Sequence, residues 1–334
     1  MKRRLAILLA LPALAFVSSL DPGYAVSVFD FVPGDEAGSD PESTLGPPTG
    51  GGLTQGSVDT YTLGTGGSIT LRMEPPLLDG HGADLLVCEN PFFVTGTLQS
   101  FAEVAFVEVS TDGVQFARFP TSYTGPGDPL PLFTGIHPAR YRGFAGAMPV
   151  SASPPLVDPL DLPAAGGDAF DFSVLEDHPL VQAEQLDLAD VRYVRLIDVE
   201  AGVDFDTAGH LVFDAGIGNG SAADIDAVVG LNTTENQSGS RPRVETDLVN
   251  NFLVIVLEDL NGLSDVKAGI TLSVNGYPAP FGLLLPYFQF TFLSQTRVEL
   301  TSLGPIPPGL FPAVLRVGLR DGLGQRGGDS VTIQ

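Results

Sequence analysis

The chain has one cysteine, no tryptophan, four histidines and 16 Lys plus Arg against 40 Asp plus Glu among 334 residues. A single thiol excludes an intramolecular disulfide, and the length suffices for about two domains that each bury a core without one. The net charge of -24 excludes partners that must be neutralised by bases, so no nucleic acid and no anionic membrane surface is expected. Cations are the natural counterparts. Without Trp there is no Trp-built platform for crystalline polysaccharide. No Gly-X-Y period or sustained heptad occurs, which excludes collagen-like and coiled-coil folds. Gly-X-Ser-X-Gly and His-Glu-X-X-His are also missing, and with them the main support for a serine hydrolase or a zinc protease. The histidines, His81, His137, His178 and His210, show no i, i+4 ligand spacing.

What is present begins with an address. Lys2, Arg3 and Arg4 precede the apolar run Leu5 to Val17, and Gly23-Tyr24-Ala25 offers a cleavage site, the three-part pattern of a secretory signal peptide over 1–25. The mature chain is expected to start near Val26 and to be secreted or displayed at the cell surface, with the periplasm as another destination. No later run is long enough to span a bilayer: Phe281 to Leu293 is interrupted by Pro286 and Gln289, so no transmembrane span is expected in the mature chain.

The 40 Gly and 28 Pro coexist with 43% apolar residues, which points to short strands joined by many turns rather than to disorder. Period-two alternation is clearest from Phe101 to Ser110, followed by the turn Thr111-Asp112-Gly113 and a returning strand Val114 to Phe119. Further strands are expected at Val26 to Val32, Val58 to Leu63, Ser68 to Met73, Leu85 to Glu89, Val191 to Ile197, His210 to Phe213 and Asp224 to Val229. A second series runs from Phe252 to Ile333. The reading is an all-β protein: a jelly-roll-like antiparallel β-sandwich over 26–232, a linker over 233–240, and a smaller immunoglobulin-like β-sandwich over 241–334. The Pro/Gly-rich stretch 121–167 reads as an insertion loop across one end of the first sandwich. Cys88, within Leu85-Leu86-Val87-Cys88, reads as a buried small hydrophobe.

The acids are the informative set. Asp224 and Asp226 flank Ile225 in an extended segment, which places both carboxylates on one face about 7 Å apart. Asp204-Phe205-Asp206, the turn Asp79-Gly-His-Gly-Ala-Asp84 and Glu89-Asn90 supply further oxygen-rich segments. Such loops can furnish the six to eight oxygens that calcium prefers, and an oxygen-only set selects Ca2+ over zinc or copper. Read as solvated loop residues, turn-formers and strand caps, the same acids need no metal.

The ordered series Gly66-Gly67-Ser68-Ile69-Thr70-Leu71, Asp84-Leu-Leu-Val-Cys-Glu89-Asn90, Val107-Glu108-Val109-Ser110-Thr-Asp112-Gly113, Gly166-Gly167-Asp168-Ala-Phe170-Asp171, Val191-Arg192-Tyr193-Val194 and Asp224-Ile-Asp226-Ala-Val resembles exported bacterial "cell surface proteins", which often carry a PEP-CTERM sorting signal. The resemblance covers roughly Val26 to Asn232. It implies a jelly-roll-like sandwich and bound calcium, without an established activity. The C-terminal part resembles bacterial immunoglobulin-like modules through Leu257-Glu-Asp-Leu-Asn-Gly262 and Leu319-Arg-Asp-Gly322.

The expectation is an exported, non-catalytic, calcium-stabilised protein with a structural or adhesive role, its partner an extracellular glycan or surface protein met through the 121–167 loop. Asp84, Glu89, Asp206, Asp224 and Asp226 are the expected metal ligands. The alternative is a secreted carbohydrate-active hydrolase or lyase that uses paired carboxylates.

Overall fold

The computed structural model describes residues 22–38, 40–131, 134–214, 222–236, 241–259, 269–283, 285–306, 312–321 and 325–334. The signal segment lies almost wholly outside the described residues. Among those described, no helix is long and apolar enough to cross a membrane.

The protein is all-β. In the N-terminal half one antiparallel sheet runs in the order Asp168–Phe170, Leu85–Glu89, Asp224–Gly230, Gly23–Val32, Ser68–Leu77, Val191–Asp198, Ala105–Ser110, Ala117–Arg118, with Tyr61–Thr62 paired beside Asp224–Gly230. The sheet curls until its two ends meet. Phe119, just beyond the last strand, packs on Phe170 of the first at 4.9 Å between ring centroids, and Leu85, Val87 and Phe170 share one core with Val107, Val109 and Ala117. A twisted sheet that closes on its own apolar face buries that face without a separate partner sheet.

The other face is buried too. Alternation sends Leu85 and Val87 into the inner core and Leu86 and Cys88 outward, where they pack with Ala227, Val229, Val150, Leu160 and Leu162. Burial on both sides explains why Leu85-Leu86-Val87-Cys88 and Ala227-Val228-Val229 read as unbroken apolar runs. The outer cover is the Pro/Gly-rich stretch expected to be an exposed insertion. Ala139, Met148, Val150, Ala152, Leu162 and Ala165 are each at most 2% exposed, so much of the stretch is a packed layer rather than a free loop. Its apolar residues, scattered between Pro and Gly without a period, find their partners one by one on the outer sheet face.

The C-terminal half is a sandwich of two four-stranded antiparallel sheets: Arg243–Val249, Phe252–Glu258, Arg297–Ser302, Phe288–Phe292, and Tyr277–Pro278, Ile270–Val274, Ala313–Arg320, Arg326–Ile333. Asn250 and Asn251 both have positive φ, as do Asn275 and Gly276; each pair makes the two-residue turn that suits the strand twist of a hairpin. Leu253, Ile255, Leu257, Leu272, Val298, Leu300 and Val317 form the core between the sheets.

Several expectations need correction. The first strand starts at Gly23, not Val26: Gly23 and Tyr24 pair with Gly230 and Val229, and Ala25 is 2% exposed. His210 to Phe213 is not a strand, because the Asp206 carboxylate collects the N–H groups of Ala208 and His210 and folds the segment into a turn. At the start of the expected linker Thr233 and Asn236 are buried, while Thr234 and Glu235 are exposed. Thr233 N donates to Asn236 Oδ1 at 2.8 Å, Asn236 N returns a bond to Thr233 Oγ1 at 3.1 Å, and Asn236 Nδ2 donates to Leu231 O at 3.0 Å; residues 237–240 lie outside the described set. The two halves also meet along a seam. Phe93 stacks on Tyr277 at 5.6 Å, Met148 packs on Val314, and Arg326 reaches Asp161 at 2.6 Å.

Candidate metal centre

The five expected ligands do not converge. No three of them bring carboxylate oxygens within 4.8 Å of one another; among the described residues the one such cluster of His, Cys, Asp and Glu is Asp79, Asp84 and Asp171. Only Asp84 belongs to both sets.

Asp84 is placed by the Gly-rich turn that precedes its strand. Its Oδ1 accepts from Gly80 N at 2.8 Å and from Asn232 Nδ2 at 2.7 Å, and its Oδ2 from Phe172 N at 2.7 Å. The residue is fully buried. Burial, the largest effect, pushes its carboxyl well above the usual range despite these donors. Asp79 enters from the other end of the turn, held by its own N–H on Leu188 O at 2.8 Å. Its Oδ1 is buried and has no hydrogen-bond partner among the described residues. Burial, then the charges of Asp171 and Glu176, push Asp79 up to about 6. Asp171 caps the short 3-10 turn Phe172–Leu175 through Ser173 N at 2.8 Å, and burial raises it as well.

Three carboxylates with mutual oxygen distances inside 4.8 Å can share an ion at the 2.3–2.6 Å typical of calcium. The unpartnered Asp79 Oδ1 suits such an ion. A buried acceptor with no donor is costly alone and is satisfied by a cation. Oxygen-only donors suit a hard divalent ion. The setting lies at the seam, since Asp171 also feels Glu245 of the second sandwich and His81, inside the turn, meets Glu245 at 2.5 Å. Asp171 lines an interdomain cleft of about 590 Å³ together with Phe119, Arg142, Glu245 and Asp247.

The remaining expected ligands do other work. Asp206 accepts from Tyr123 N at 2.9 Å and from His210 N at 2.8 Å; burial acts to raise its pKa, but these bonds and His210 hold it below the ordinary value. Asp226 sits in a bulge between Ile225 and Ala227. It takes Thr49 N at 2.9 Å and Ser57 Oγ at 2.7 Å, tying down the loop before the second strand. Asp224 accepts instead from Thr62 Oγ1 and Asn90 Nδ2. The two aspartates therefore bond to different groups, not to one ion. Backbone and hydroxyl donors, invisible in a search for carboxylate pairs, account for Asp206 and Asp226 without a metal. Glu89 accepts Asp224 N at 2.7 Å on Oε1.

Two ligands of the cluster escaped sequence reasoning as ligands. Asp79 was visible as part of an acidic Gly-rich turn, whereas Asp171 lies far along the chain and entered only as the end of the resemblance segment Gly166 to Asp171. Neither a family model nor a curated protein matches the chain.

Proposed function

We propose that the protein is an exported, non-catalytic, calcium-stabilised cell-surface or secreted protein with a structural or adhesive role. The observation that carries the reading is the Asp79, Asp84 and Asp171 cluster with its orphaned Asp79 oxygen. Calcium there would tie the turn 79–84, the strand end at Asp171 and, through Glu245, the face of the second sandwich. Against the acid–base alternative, Asp226 is 2% exposed and saturated by Thr49 and Ser57, a poor position for proton exchange with a substrate. With so much of 121–167 packed into the molecule, the interdomain cleft is the better place for a glycan or peptide. It combines Arg142, Glu245 and Asp247 with the exposed Val174, a mixture suited to sugar hydroxyls beside an apolar patch.

The test is thermal unfolding of the mature chain in excess calcium and in excess chelator. Calcium is expected to raise Tm, since a ligand of the native state adds RT ln(1 + [L]/Kd), and Asp79→Asn with Asp171→Asn to remove most of the shift. Identical curves in calcium and chelator would remove the reading.

A further inference from the structure

The apolar run Phe281 to Leu293 belongs to a longer stretch, 268–296, that carries no Asp, Glu, Lys, Arg or His. In a chain that is 17% charged with a net charge of -24, such a stretch is where a neighbour meets no carboxylate. It contains Phe288–Phe292, an edge strand of the second sandwich. Among the described residues this strand pairs with Arg297–Ser302 alone, so the backbone N–H and C=O groups on its outer side lack ladder partners.

The other edges of that sandwich are protected. Arg243–Val249 carries Arg243, Glu245 and Asp247 and is tied to Arg326–Ile333 of the opposite sheet, where Asp329 Oδ2 accepts from Thr246 N. Tyr277–Pro278 is two residues long and ends in proline. Phe288–Phe292 has no charge, no proline and no bulge in its register with 297–302, the devices that ordinarily blunt an edge. Phe288 and Phe290 pack against the core, and Phe290 meets Phe281 edge-on at 6.5 Å. Phe292 shares their face by alternation yet is 70% exposed. Tyr287 and Leu303 at one end of the strand and Phe292 and Leu293 at the other are all more than half exposed, so apolar side chains flank the bare edge. Glu299, opposite Thr291, lies one strand back and accepts from Thr301 Oγ1 at 3.2 Å.

We propose that Phe288–Phe292 pairs antiparallel with the same strand of a second copy of the chain, joining their four-stranded sheets into one. Charge and symmetry select this occupant. Two bodies of net charge -24 repel wherever their acids face each other, and the uncharged edge is a surface on which they can meet. A strand turned about a two-fold axis perpendicular to its sheet is its own antiparallel partner, so one contact satisfies both edges and closes at two copies. With the axis at Phe290, Phe292 lies across from the second copy's Phe288, and the exposed ring gains cover. The contact goes beyond the calcium reading and uses no residue of the Asp79, Asp84 and Asp171 centre.

The test is sedimentation equilibrium of the full mature chain in excess calcium, from about 1 μM to about 1 mM, with amide hydrogen exchange at both ends of that range. A monomer–dimer equilibrium is expected, tighter as salt screens the like charges outside the contact, with slower exchange at high concentration in 288–292. Phe292→Glu, at an exposed position, should weaken the dimer about tenfold or more and leave Tm unchanged. Gln289→Glu, also exposed, gives the same readout should Phe292→Glu fail to fold. A chain that stays monomeric throughout would overturn the proposal, whether or not it binds neutral phosphatidylcholine vesicles instead. So would a dimer that the folded variant leaves intact, one that dissociates as salt rises, or one that forms without added protection in 288–292.

Discussion

Arg316, on a strand of the second sandwich, donates Nη2 to the carbonyl of Gly167 at the end of the Pro/Gly-rich layer of the first. Its Nη1 reaches Leu162 O at 3.3 Å, and the side chain is 1% exposed. Asp168, next in sequence to Gly167, provides the main opposing charge. A guanidinium buried at a seam joins the halves only while its partners remain. Arg316→Met should therefore cost about 3–5 kcal/mol in chemical denaturation, because it strands Asp168 and two carbonyls. Adding Asp168→Asn should return part of that loss. A cost below about 1 kcal/mol would mean that the halves are held by apolar contacts alone.

Asp168 also sets a pH dependence. Burial raises its carboxyl to about 6, against the lowering effects of Arg316 and of the Met148 and Ala147 N–H groups; burial also pushes the nearby Cys88 thiol up, keeping it neutral. For an acid whose folded pKa lies above the unfolded value near 3.8, the folded state holds the proton more tightly. Its contribution is greatest below about pH 4, falls through the interval to pH 6 and is level above that. Two pKa units correspond to about 3 kcal/mol. Measured in constant chelator, the difference between the parent and Asp168→Asn should change across pH 4–6 and stay flat from 7 to 9.

Asp226 separates turn-pinning from metal binding. Four contacts from Thr49 and Ser57 converge on it. Bonds to a buried carboxylate are stronger than neutral ones, so Asp226→Ala should destabilise by about 2–4 kcal/mol. The loss should be the same with calcium as with chelator. A loss seen only in calcium would return Asp226 to the metal ligands.

The fold was more legible than the site, for a physical reason. Leu85 to Glu89 and Ala105 to Ser110 declare themselves because burial demands apolar side chains at fixed spacing. Arg243–Val249 did not, since its sequence RVETDLV places charge inside an edge strand. For the acids, the turn Asp79 to Asp84 was visible but its partner Asp171 was not: the pairing is made by Phe172 N closing on Asp84 across 88 residues of sequence. Glu103 was read as one alternating position of a strand from Phe101 to Ser110. In the structure that run breaks, since Phe101 pairs with Phe92 and the long strand resumes only at Ala105; Glu103 falls in the break, where burial and then the charges of Asp224, Asp214 and Asp198 raise its carboxyl.

The same local ambiguity governs the N-terminus and gives the last prediction. Gly23-Tyr24-Ala25 fits a cleavage signal, because small residues flank a large one, yet in the folded chain these residues begin the first strand. Tyr24 pairs with Val229 on one side and Glu74 on the other, and Ala25 pairs with Met73 in the core. A chain beginning at Val26 would leave those strands with unpaired backbone groups and open the space filled by Ala25. It should be less stable than one beginning at Pro22 by about 1–3 kcal/mol, a range set by lost ladder bonds and a small cavity. Side-by-side denaturation of the two recombinant chains measures this directly. Equal stability would show that the strand contributes only from Val26 onward, and processing after Ala25 would then carry no structural cost.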